Sequence, residues 1–508
     1  MKELPKHSQS YWTEFIKDPN KGGLDSQTGL ETDVTVIGAG ITGILTAYLL
    51  ATEGKKVALV EAGQLMNGTT GHTTAKITAQ HGLIYDKLIS NMDEKMARLY
   101  YEANLNGLGL IQSLIEEKQI ECDFSVQDSI TYAVTEESEK QVQLEYEAYQ
   151  KLGIPGDLVK ELPLPFPIKN ALIMPKQAQF HPVKFLNHIL KAFVDQGGLI
   201  FDNTPVEAIE NDEAPFRVIA KNHSVITSKQ VVITTHYPFF DMEGLYFSRL
   251  HAVRSYIVAA TIEEEIQEGM YLSADQPTRS IRYTNMDGEK LVLFGGESHK
   301  TGQSENPLKH FESLKDFAEK YYTLKDIPYR WSAQDLVTLD QVPYIGQYSS
   351  KKENLYIATG FAKWGMSNGA SAALLLKDMV MGRVNPYQEL FTPTRSEKKL
   401  TNLATFLKEN ANVAKEFVKG KLSREDLKPE ELLPDEGGIV KYDGKRAGAY
   451  KNSNGEICIV DTTCTHMGCE LKWNNGERSW DCPCHGSRFS PDGEVLEGPA
   501  VKPLKKLK

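Results

Sequence analysis

The sequence predicts an α/β Rossmann-type domain, an antiparallel sheet, and a small all-β domain at the C-terminal end. Three observations predict this fold class. Residues 33–61 read as strand, glycine turn, helix, strand and acid. The runs at 251–262 and 290–297 alternate in the way that antiparallel strands do. Residues 464–485 gather four cysteines and two histidines, flanked by short apolar runs and turn signals.

Length and charge narrow the class of protein. A chain of 508 residues is too long for one hydrophobic core, so we expect several domains. A net charge of -11 argues against a nucleic-acid partner. No apolar run is long enough for a transmembrane segment, and the opening M-K-E-L-P-K-H-S-Q-S has no apolar core of an export signal. We therefore expect a cytoplasmic protein.

The first motif places three glycines at the junction of a strand and a helix. A buried strand at Val34–Ile37 is followed by Gly38, Gly40 and Gly43 in the spacing G-x-G-x-x-G, and a second strand is expected at Val57–Val60. The first glycine permits a tight turn and the second lets the backbone approach a pyrophosphate. The third allows the helix to pack closely on the strand. The motif predicts a dinucleotide site, and the alternative is a glycine turn without a ligand.

The rest of this unit has the parts that a dinucleotide needs. The helix N-terminus, at Ile41 and Thr42, can stabilise phosphate charge. Glu61 ends the second strand and can accept from ribose hydroxyls. No second G-x-G-x-x-G follows a strand later in the chain, which favours a bound flavin reduced by an organic substrate over one reduced by a nicotinamide cofactor.

A late segment carries a resemblance to a known family. Residues 355–382 read as strand, glycine turn and helix, and T-L-D-Q-V-P-Y-I-G precedes them at 338–346. With the first motif, this resembles the D-amino-acid oxidase and glycine oxidase superfamily of FAD-dependent oxidoreductases. In that family the late segment closes over the flavin, which implies FAD contacts here from Gly360, Trp364, Gly365 and Met366. By itself, Trp364 would be read as a core aromatic.

Two further segments fit the same family. The loop G-T-T-G-H-T-T-A-K-I-T at 68–78 lies where the family places a small polar loop against the flavin, which implies a contact from Thr70. His72 and Lys76 in this loop are candidate catalytic or charge-stabilising residues, and the alternative is a pair of solvated loop charges. The resemblance also implies that the backbone at Val206 meets the adenine.

The family resemblance implies a substrate domain that is built on the antiparallel sheet and interleaved along the chain with the FAD-binding domain. We expect that sheet mainly at 86–165 and 245–335. Relatives that oxidise amino acids clamp the substrate carboxylate with an arginine near R-S-I-R-Y, so Arg282 is the candidate here. The alternative is a surface arginine at a strand end.

The second motif offers two thiols and two imidazoles. Cys464 and His466 form C-x-H, and Cys482 and His485 form C-x-x-H. Zinc and a [2Fe–2S] cluster both accept two cysteines and two histidines, but C-x-H is too short for the usual zinc-finger spacing. The whole stretch, with E-G-P-A-V-K-P-L at 497–504, resembles the Rieske domain, which implies that these four residues ligate a [2Fe–2S] cluster.

The Rieske resemblance also implies a disulfide and shows one departure. Cys469 and Cys484 occupy the positions that are disulfide-bonded in the cytochrome bc-type branch, and the alternative is two free thiols. The bc-type pattern G-S-x-Y is here Gly486 to Phe489, so Ser487 keeps a hydroxyl while Phe489 lacks the phenol that would donate to a ligand thiolate. For this reason we expect the reduction potential of the cluster to be lower than in the Rieske proteins of respiratory chains.

These segments divide the chain into four parts. We expect an N-terminal extension, an FAD-dependent oxidoreductase region, a helical linker and a Rieske domain, at 1–30, 31–395, 396–433 and 434–508.

The two resemblances together imply a flavin dehydrogenase. A small organic substrate, an amine or amino acid by family, would reduce FAD, and the cluster would pass single electrons to an acceptor that the sequence does not name. One alternative is an electron-transfer relay without a dedicated substrate. Another is a Rieske oxygenase, but that needs a mononuclear iron held by two histidines and a carboxylate, and no such grouping stands out.

Overall fold

The computed structural model describes residues 2–17, 29–241, 243–395, 400–422 and 427–508. The α-helices within them are α1 (Ile41–Thr52), α2 (Tyr85–Asn91), α3 (Glu94–Lys118), α4 (Glu136–Leu152), α5 (Pro182–Asp195), α6 (Tyr246–Arg249), α7 (Leu308–Tyr321), α8 (Gly365–Val380), α9 (Gln388–Phe391) and α10 (Leu400–Leu422). Short 3₁₀-helices occur at Tyr11–Phe15, Thr69–His72 and Pro429–Glu431.

The strands fall into an oxidoreductase part and a C-terminal part. The first set is β1 (Leu30–Ile37), β2 (Val57–Val60), β3 (Lys76–Ile77), β4 (Ser125–Ala133), β5 (Asp157–Val159), β6 (Asn170–Gln179), β7 (Leu199–Phe201), β8 (Val206–Glu210), β9 (Phe216–Ala220), β10 (Val225–Ile233), β11 (Leu250–Ile262), β12 (Met270–Ser273), β13 (Arg279–Met286), β14 (Glu289–Lys300), β15 (Leu324–Thr338), β16 (Tyr344–Gln347) and β17 (Leu355–Thr359). The second set is β18 (Glu436–Tyr442), β19 (Lys445–Lys451), β20 (Ile457–Val460), β21 (Lys472–Asn474), β22 (Ser479–Asp481), β23 (Arg488–Phe489) and β24 (Val495–Glu497).

The first sheet is the predicted Rossmann-type sheet. Its order is β16-β17-β10-β1-β2-β7, with β8 and β9 attached to β10. The pairs of β1 with β2 and β10, β2 with β7, and β10 with β17 are parallel. Nearly every residue of α1 is buried, because the helix packs against the sheet and against α5 and α8. The predicted strand–glycine–helix–strand unit is confirmed.

The second sheet is antiparallel apart from one pair. Its order is β15-β11-β14-β13-β12-β4-β6-β3, with β5 on β6, and only β12 and β4 among these strands run parallel. Its strands come from two separate stretches of the chain, as the interleaving prediction requires. The sheet reaches further than the expected ranges, because β6 runs to Gln179 and β15 to Thr338.

The C-terminal region is small and all-β. A three-stranded sheet, β18-β19-β20, and a four-stranded sheet, β21-β22-β23-β24, enclose a core that includes Trp480 and Phe489. Its first strand begins at Glu436, two residues after the expected boundary.

Strand β15 of the oxidoreductase part contacts both the N-terminal extension and the C-terminal region. Arg330 on β15 donates to the carbonyls of Pro5 and Lys6 in the N-terminal extension and of Gly476 in the C-terminal region, at 2.6, 3.0 and 3.0 Å. The predicted helical linker contains α10, which covers 400–422, and the linker residues 396–399 and 423–426 lie outside the described part. In the described residues, no helix has the length and apolar character needed to cross a membrane.

Candidate functional site

The end of β1 forms a narrow glycine cradle. Gly38 has φ +103, and a Cβ there would lie 2.8 Å from the Thr234 carbonyl carbon. A Cβ on Gly43 would lie 1.8 Å from the Gly38 oxygen, so α1 and the turn pack closer than any side chain allows. The start of α1 has Gly40 as its N-cap with no side-chain hydrogen bond, which leaves helix N–H groups for an anion.

Glu61 organises the same turn. Its carboxylate accepts from the Ala39 N–H at 2.8 Å and the Gly63 N–H at 3.0 Å. Burial raises the pKa of the Glu61 carboxyl, and these N–H donors oppose that rise. On the other side of the turn, Thr70 Oγ1 accepts from the Ile41 N–H at 3.0 Å. The predicted loop therefore closes over the cradle.

A cavity of about 920 Å³ opens from this cradle. Most residues predicted from the sequence line it: Gly38, Gly40, Ile41, Thr42, Glu61, Thr70, His72, Lys76, Val206, Trp364, Gly365 and Met366. Gly43, Gly360 and Arg282 do not line it. Gly43 acts behind the cavity through packing, and Gly360 turns the chain after β17 with φ +77.

The cavity has polar groups that fit a large, polar cofactor such as FAD. Thr235 Oγ1, His236 Nε2 and Tyr237 Oη are buried without a hydrogen-bond partner, and all three residues line the cavity. Buried polar atoms normally have partners, so these three are available to hydrogen-bond a polar ligand in the cavity. They follow directly after β10, at the carboxyl end of a parallel strand, where open α/β sheets bind ligands. We missed them because T-T-H-Y has no motif of its own.

The far end of the cavity is framed by Trp364 at the start of α8. The Trp364 ring stacks on His81 with centroids 4.7 Å apart. His81 Nδ1 bonds Tyr100 Oη and Nε2 bonds the Thr78 carbonyl, both at 2.7 Å. Burial lowers the pKa of His81 to about 3, so the ring is neutral. His81 fixes the tryptophan from behind, a role that sequence reasoning missed.

Lys76 is a buried lysine that lines the cavity. Its Nζ donates to Ser280 Oγ at 2.8 Å and to the Tyr271 carbonyl at 3.0 Å. Burial, with a smaller contribution from the charge of Arg282, lowers the pKa of Lys76 to about 7. The amine therefore changes protonation near neutral pH.

The structure does not bring the candidate clamp Arg282 to the cavity. Arg282 is 1% exposed and donates to the carbonyls of Ala75, at 3.0 Å, and Tyr283, at 3.1 Å. Its guanidinium also lies over the Trp12 ring at 5.5 Å. The physical reason is that the loop before Lys76 covers the Arg282 side chain. The backbone carbonyls of this loop and of β13 accept the hydrogen bonds of its guanidinium group.

Three other titratable groups line the cavity. His72 Nδ1 lies 2.9 Å from the Gly68 carbonyl, and burial lowers the pKa of this histidine. Burial raises the pKa of Asp335 to about 7, although Lys363 and Arg254 oppose the rise. Burial lowers the pKa of Lys363, against the opposite effect of Asp335. Sequence reasoning missed Asp335 and Lys363, since neither belongs to a chemical motif.

The cysteine and histidine centre lies in the C-terminal region. The two loops bring Cys464 and Cys482 together, and the hydrogen bond with Cys482 lowers the pKa of the Cys464 thiol. The rings of His466 and His485 lie 5.1 Å apart. Two adjacent thiols and two adjacent imidazoles are the donor set that a Rieske [2Fe–2S] cluster uses. The four predicted ligands therefore fit this cluster.

The two other cysteines of these loops, Cys469 and Cys484, and the nearby Ser487 also have defined contacts. Cys469 and Cys484 form a disulfide bond that joins the two loops, as predicted. The Ser487 hydroxyl bonds the Cys464 thiol and accepts from the Ala500 N–H at 3.0 Å. Phe489 is fully buried on β23.

The two halves of the chain meet at the cavity and at this centre. The segment from Glu494 to Val501, which includes β24, forms one wall of the cavity together with Pro503. The Phe247 ring, on α6, lies edge-on to both His466 and His485, with centroids 5.9 and 5.7 Å away.

A buried ion-pair network fixes this arrangement. Glu497 on β24 pairs with Arg254 of β11 at 2.9 Å and with Arg488 at 2.8 Å. Beside it, Gln334 Nε2 donates to the Gly486 carbonyl at 3.0 Å. Burial would raise the pKa of Glu497, but the two arginines outweigh burial and lower it to about 2. The carboxylate is therefore ionised at neutral pH.

Comparisons with known proteins agree with this geometry. A family described as FAD dependent oxidoreductase matches residues 33–379, and one described as Rieske [2Fe-2S] domain matches residues 425–508. The chain is 47% identical over 506 residues to YhfW of Bacillus subtilis (strain 168), named as a Rieske 2Fe-2S iron-sulfur protein, and this covers 100% of the chain and 98% of YhfW. The C-terminal region is 51% identical over 67 residues to a cytochrome b6-f complex iron-sulfur subunit of Synechocystis sp., covering 13% of the chain and 33% of that subunit.

Among solved structures, glycine oxidase from Geobacillus kaustophilus is similar with a TM-score of 0.61 and 18% identity, covering 72% of this chain and 99% of that one. At this identity the likeness concerns the fold. The fold and the site define a flavo-iron–sulfur oxidoreductase, with FAD and a Rieske [2Fe–2S] cluster as cofactors. The chain belongs to the FAD dependent oxidoreductase family and carries a C-terminal Rieske domain.

Proposed function

We propose that the protein is a dehydrogenase that oxidises a small amine or amino acid and delivers the electrons one at a time to an external acceptor. The proposal assigns the ligand role to Cys464, His466, Cys482 and His485. When bound, FAD accepts two electrons as hydride, and a [2Fe–2S] cluster accepts one electron at a time.

One observation carries the proposal. The cavity that begins at the glycine cradle is walled on one side by the C-terminal region, from Glu494 to Val501. Phe247 of the oxidoreductase part contacts both histidines of the centre. A substrate site and a one-electron centre held this close support an internal transfer of electrons between them.

Two titratable side chains that line the cavity support a polar substrate. Lys76, with a pKa near 7, can bind an anionic group when protonated or accept a proton when neutral. Asp335 can bind a cationic group when ionised or donate a proton when neutral, and it changes between these forms at a similar pH, since burial raises its pKa to about 7. An amine must lose a proton before hydride leaves its α-carbon, and both groups face the same cavity. The fold similarity to a glycine oxidase supports the amine class further.

The test is anaerobic and uses the fully loaded protein. A panel of amino acids, N-methylated amines and other amines is mixed with the protein while flavin absorbance and the cluster EPR signal are followed. The proposal predicts that one substrate class bleaches the flavin and that the cluster signal then rises. The variant Cys464→Ser is the control, because it should keep the bleaching and lose the signal.

If no compound bleaches the flavin while dithionite reduces both centres, the amine proposal fails. The protein would then be a relay that takes its electrons from another protein.

A further inference from the structure

Two loops carry the candidate cluster ligands: we call the loop of Cys464 and His466 the outer loop and the loop of Cys482 and His485 the inner loop. We propose that the outer loop docks an external one-electron acceptor protein that has acidic side chains around its redox centre. The docking surface consists of Thr465, Met467, Val501, Lys502 and Lys505, and we name it the exit surface. The inference rests on the proposed function, because it supplies the last step of that electron path.

The inner loop of the centre is closed to any partner. The carbonyls of Gly486 and Pro483 each accept from a side chain of the oxidoreductase part, Gln334 and Gln303, at 3.0 Å. The Val413 carbonyl of α10 lies 3.9 Å from the Cys484 sulfur. His485 is 6% exposed beneath Phe247. An acceptor therefore cannot approach the centre from the inner loop.

The outer loop is open. Thr465 is exposed, and Met467, next to the ligand candidate His466, is 52% exposed. Thr465 Oγ1 donates to the Lys502 carbonyl at 2.7 Å, which joins the loop to the C-terminal segment. Val501 beside it is 44% exposed and also lines the cavity, so the outer loop adjoins the cavity wall. Met467 thus gives the exit surface an exposed apolar centre directly next to the ligand candidate His466.

The rim of the exit surface is positive, although the whole chain has a net charge of -11. The segment V-K-P-L-K-K-L-K at 501–508 has four lysines and no acid. Lys506 pairs with Asp492 at 3.2 Å, whereas no described carboxylate forms an ion pair with Lys502 or Lys505. Asp461 lies three residues before Cys464, and its N–H donates to the Lys505 carbonyl at 2.9 Å. The Asp461 carboxylate accepts from the Thr463 N–H at 2.8 Å, so the rim also contains an acid beside its two lysines.

An apolar centre with a positive rim is complementary to an acidic electron carrier. Such charge complementarity steers encounter and selects partners, while the apolar contact stays small enough for rapid release. Each encounter moves one electron: the reduced cluster is oxidised by one electron and the redox centre of the acceptor is reduced by one. Two encounters complete one two-electron oxidation of substrate.

The test compares two charge-reversal variants of the fully loaded protein. Lys502→Glu with Lys505→Glu reverses the rim. Lys140→Glu with Lys151→Glu makes the same charge change on α4, where both lysines are exposed, and serves as the matched control. The probes are plastocyanin, which is acidic, and mitochondrial cytochrome c, which is basic.

Two readouts are taken at low and high ionic strength. The first is binding of reduced plastocyanin to the dithionite-reduced protein, where no electron can move. The second is the second-order rate at which oxidised probes reoxidise the dithionite-reduced protein. Reversal of the rim should weaken plastocyanin binding and slow its reaction by about tenfold at low salt, and this difference should shrink at high salt. The control should stay within about twofold of the parent.

Equal behaviour of the two variants would overturn the proposal, as would tighter binding of cytochrome c than of plastocyanin by the parent protein. Because dithionite replaces the substrate, the result does not depend on the amine proposal. A failure here with substrate oxidation intact would place the acceptor on another surface.

Discussion

Replacing Glu497 with glutamine removes one negative charge from between two arginines and keeps the size of the side chain. The carboxylate lies 2.9 Å from Arg254 of the oxidoreductase part and 2.8 Å from Arg488 of the Rieske domain. Both guanidinium groups are buried, with side-chain exposures of 0% and 8%. The amide can accept one hydrogen bond but carries no charge. Arg488 keeps its ion pairs with Asp481, at 3.2 Å, and Glu477, at 3.7 Å, so Arg254 is the buried cation that loses its described ion-pair partner.

The cost follows from the pKa of Glu497. Its fall from 4.5 to about 2 is worth roughly 3 kcal/mol, at 1.36 kcal/mol per pH unit. Removal of one partner from a buried ion pair costs about 3–5 kcal/mol, which agrees. Because the folded-state pKa is lowered, this stabilisation is present above pH 4.5 and is lost as the pH falls from 4.5 towards 2.

Urea unfolding of the parent and the Glu497→Gln variant at pH 7 measures this loss. The matched control is Glu494→Gln, three residues away, whose carboxylate is 54% exposed and 3.8 Å from Lys506. We expect the control to change the free energy of unfolding by less than about 1 kcal/mol, as exposed ion pairs do. A loss below about 1 kcal/mol for Glu497→Gln, or one equal to that of the control, would refute the network as the lock between the two halves.

Three further predictions concern the cofactor sites. Gly43→Ala should weaken FAD binding by roughly tenfold or more, since its Cβ would lie 1.8 Å from a backbone oxygen. Gly109→Ala is the control, because a Cβ there has nothing within 4 Å. Equal FAD content in the two variants would contradict this prediction. Asp335→Asn should remove a titration with a pKa near 7 from the pH profile of flavin reduction by substrate, and an unchanged profile would exclude Asp335 from proton transfer. Phe489→Tyr should raise the cluster potential by roughly 60–130 mV, the equivalent of one hydrogen bond of about 1.5–3 kcal/mol to a ligand thiolate; a redox titration without a rise would refute it.

The sequence predicted best what is local in the chain. The unit from β1 to Glu61 was predicted because its glycines, helix and acid are contiguous, and each glycine has a steric reason that the structure bears out at Gly38 and Gly43. The disulfide between Cys469 and Cys484 was predicted from the resemblance to the bc-type Rieske domain, whose motifs are contiguous in the sequence.

What escaped prediction depends on contacts between distant segments. Asp335 and Lys363 come from two different segments, and only the sheet and α8 bring them to one cavity. Arg282 occupies the expected stretch and shares a face of β13 with Ser280, which lines the cavity, but the Ala75 carbonyl of the neighbouring loop holds its guanidinium outside it. The contact of Phe247 with the cluster histidines depends on how two domains dock, which no spacing encodes.

The central claim is that the flavin site and the cluster form one electron path within a single chain. The most direct measurement photoreduces the flavin of the loaded protein anaerobically and follows the appearance of the reduced cluster by absorbance and freeze-quench EPR, over a tenfold range of protein concentration. We predict a first-order transfer whose rate does not change with dilution, and a slower rate in Phe247→Ala. A rate proportional to protein concentration, or a cluster that stays oxidised at potentials where it should accept an electron, would contradict the account.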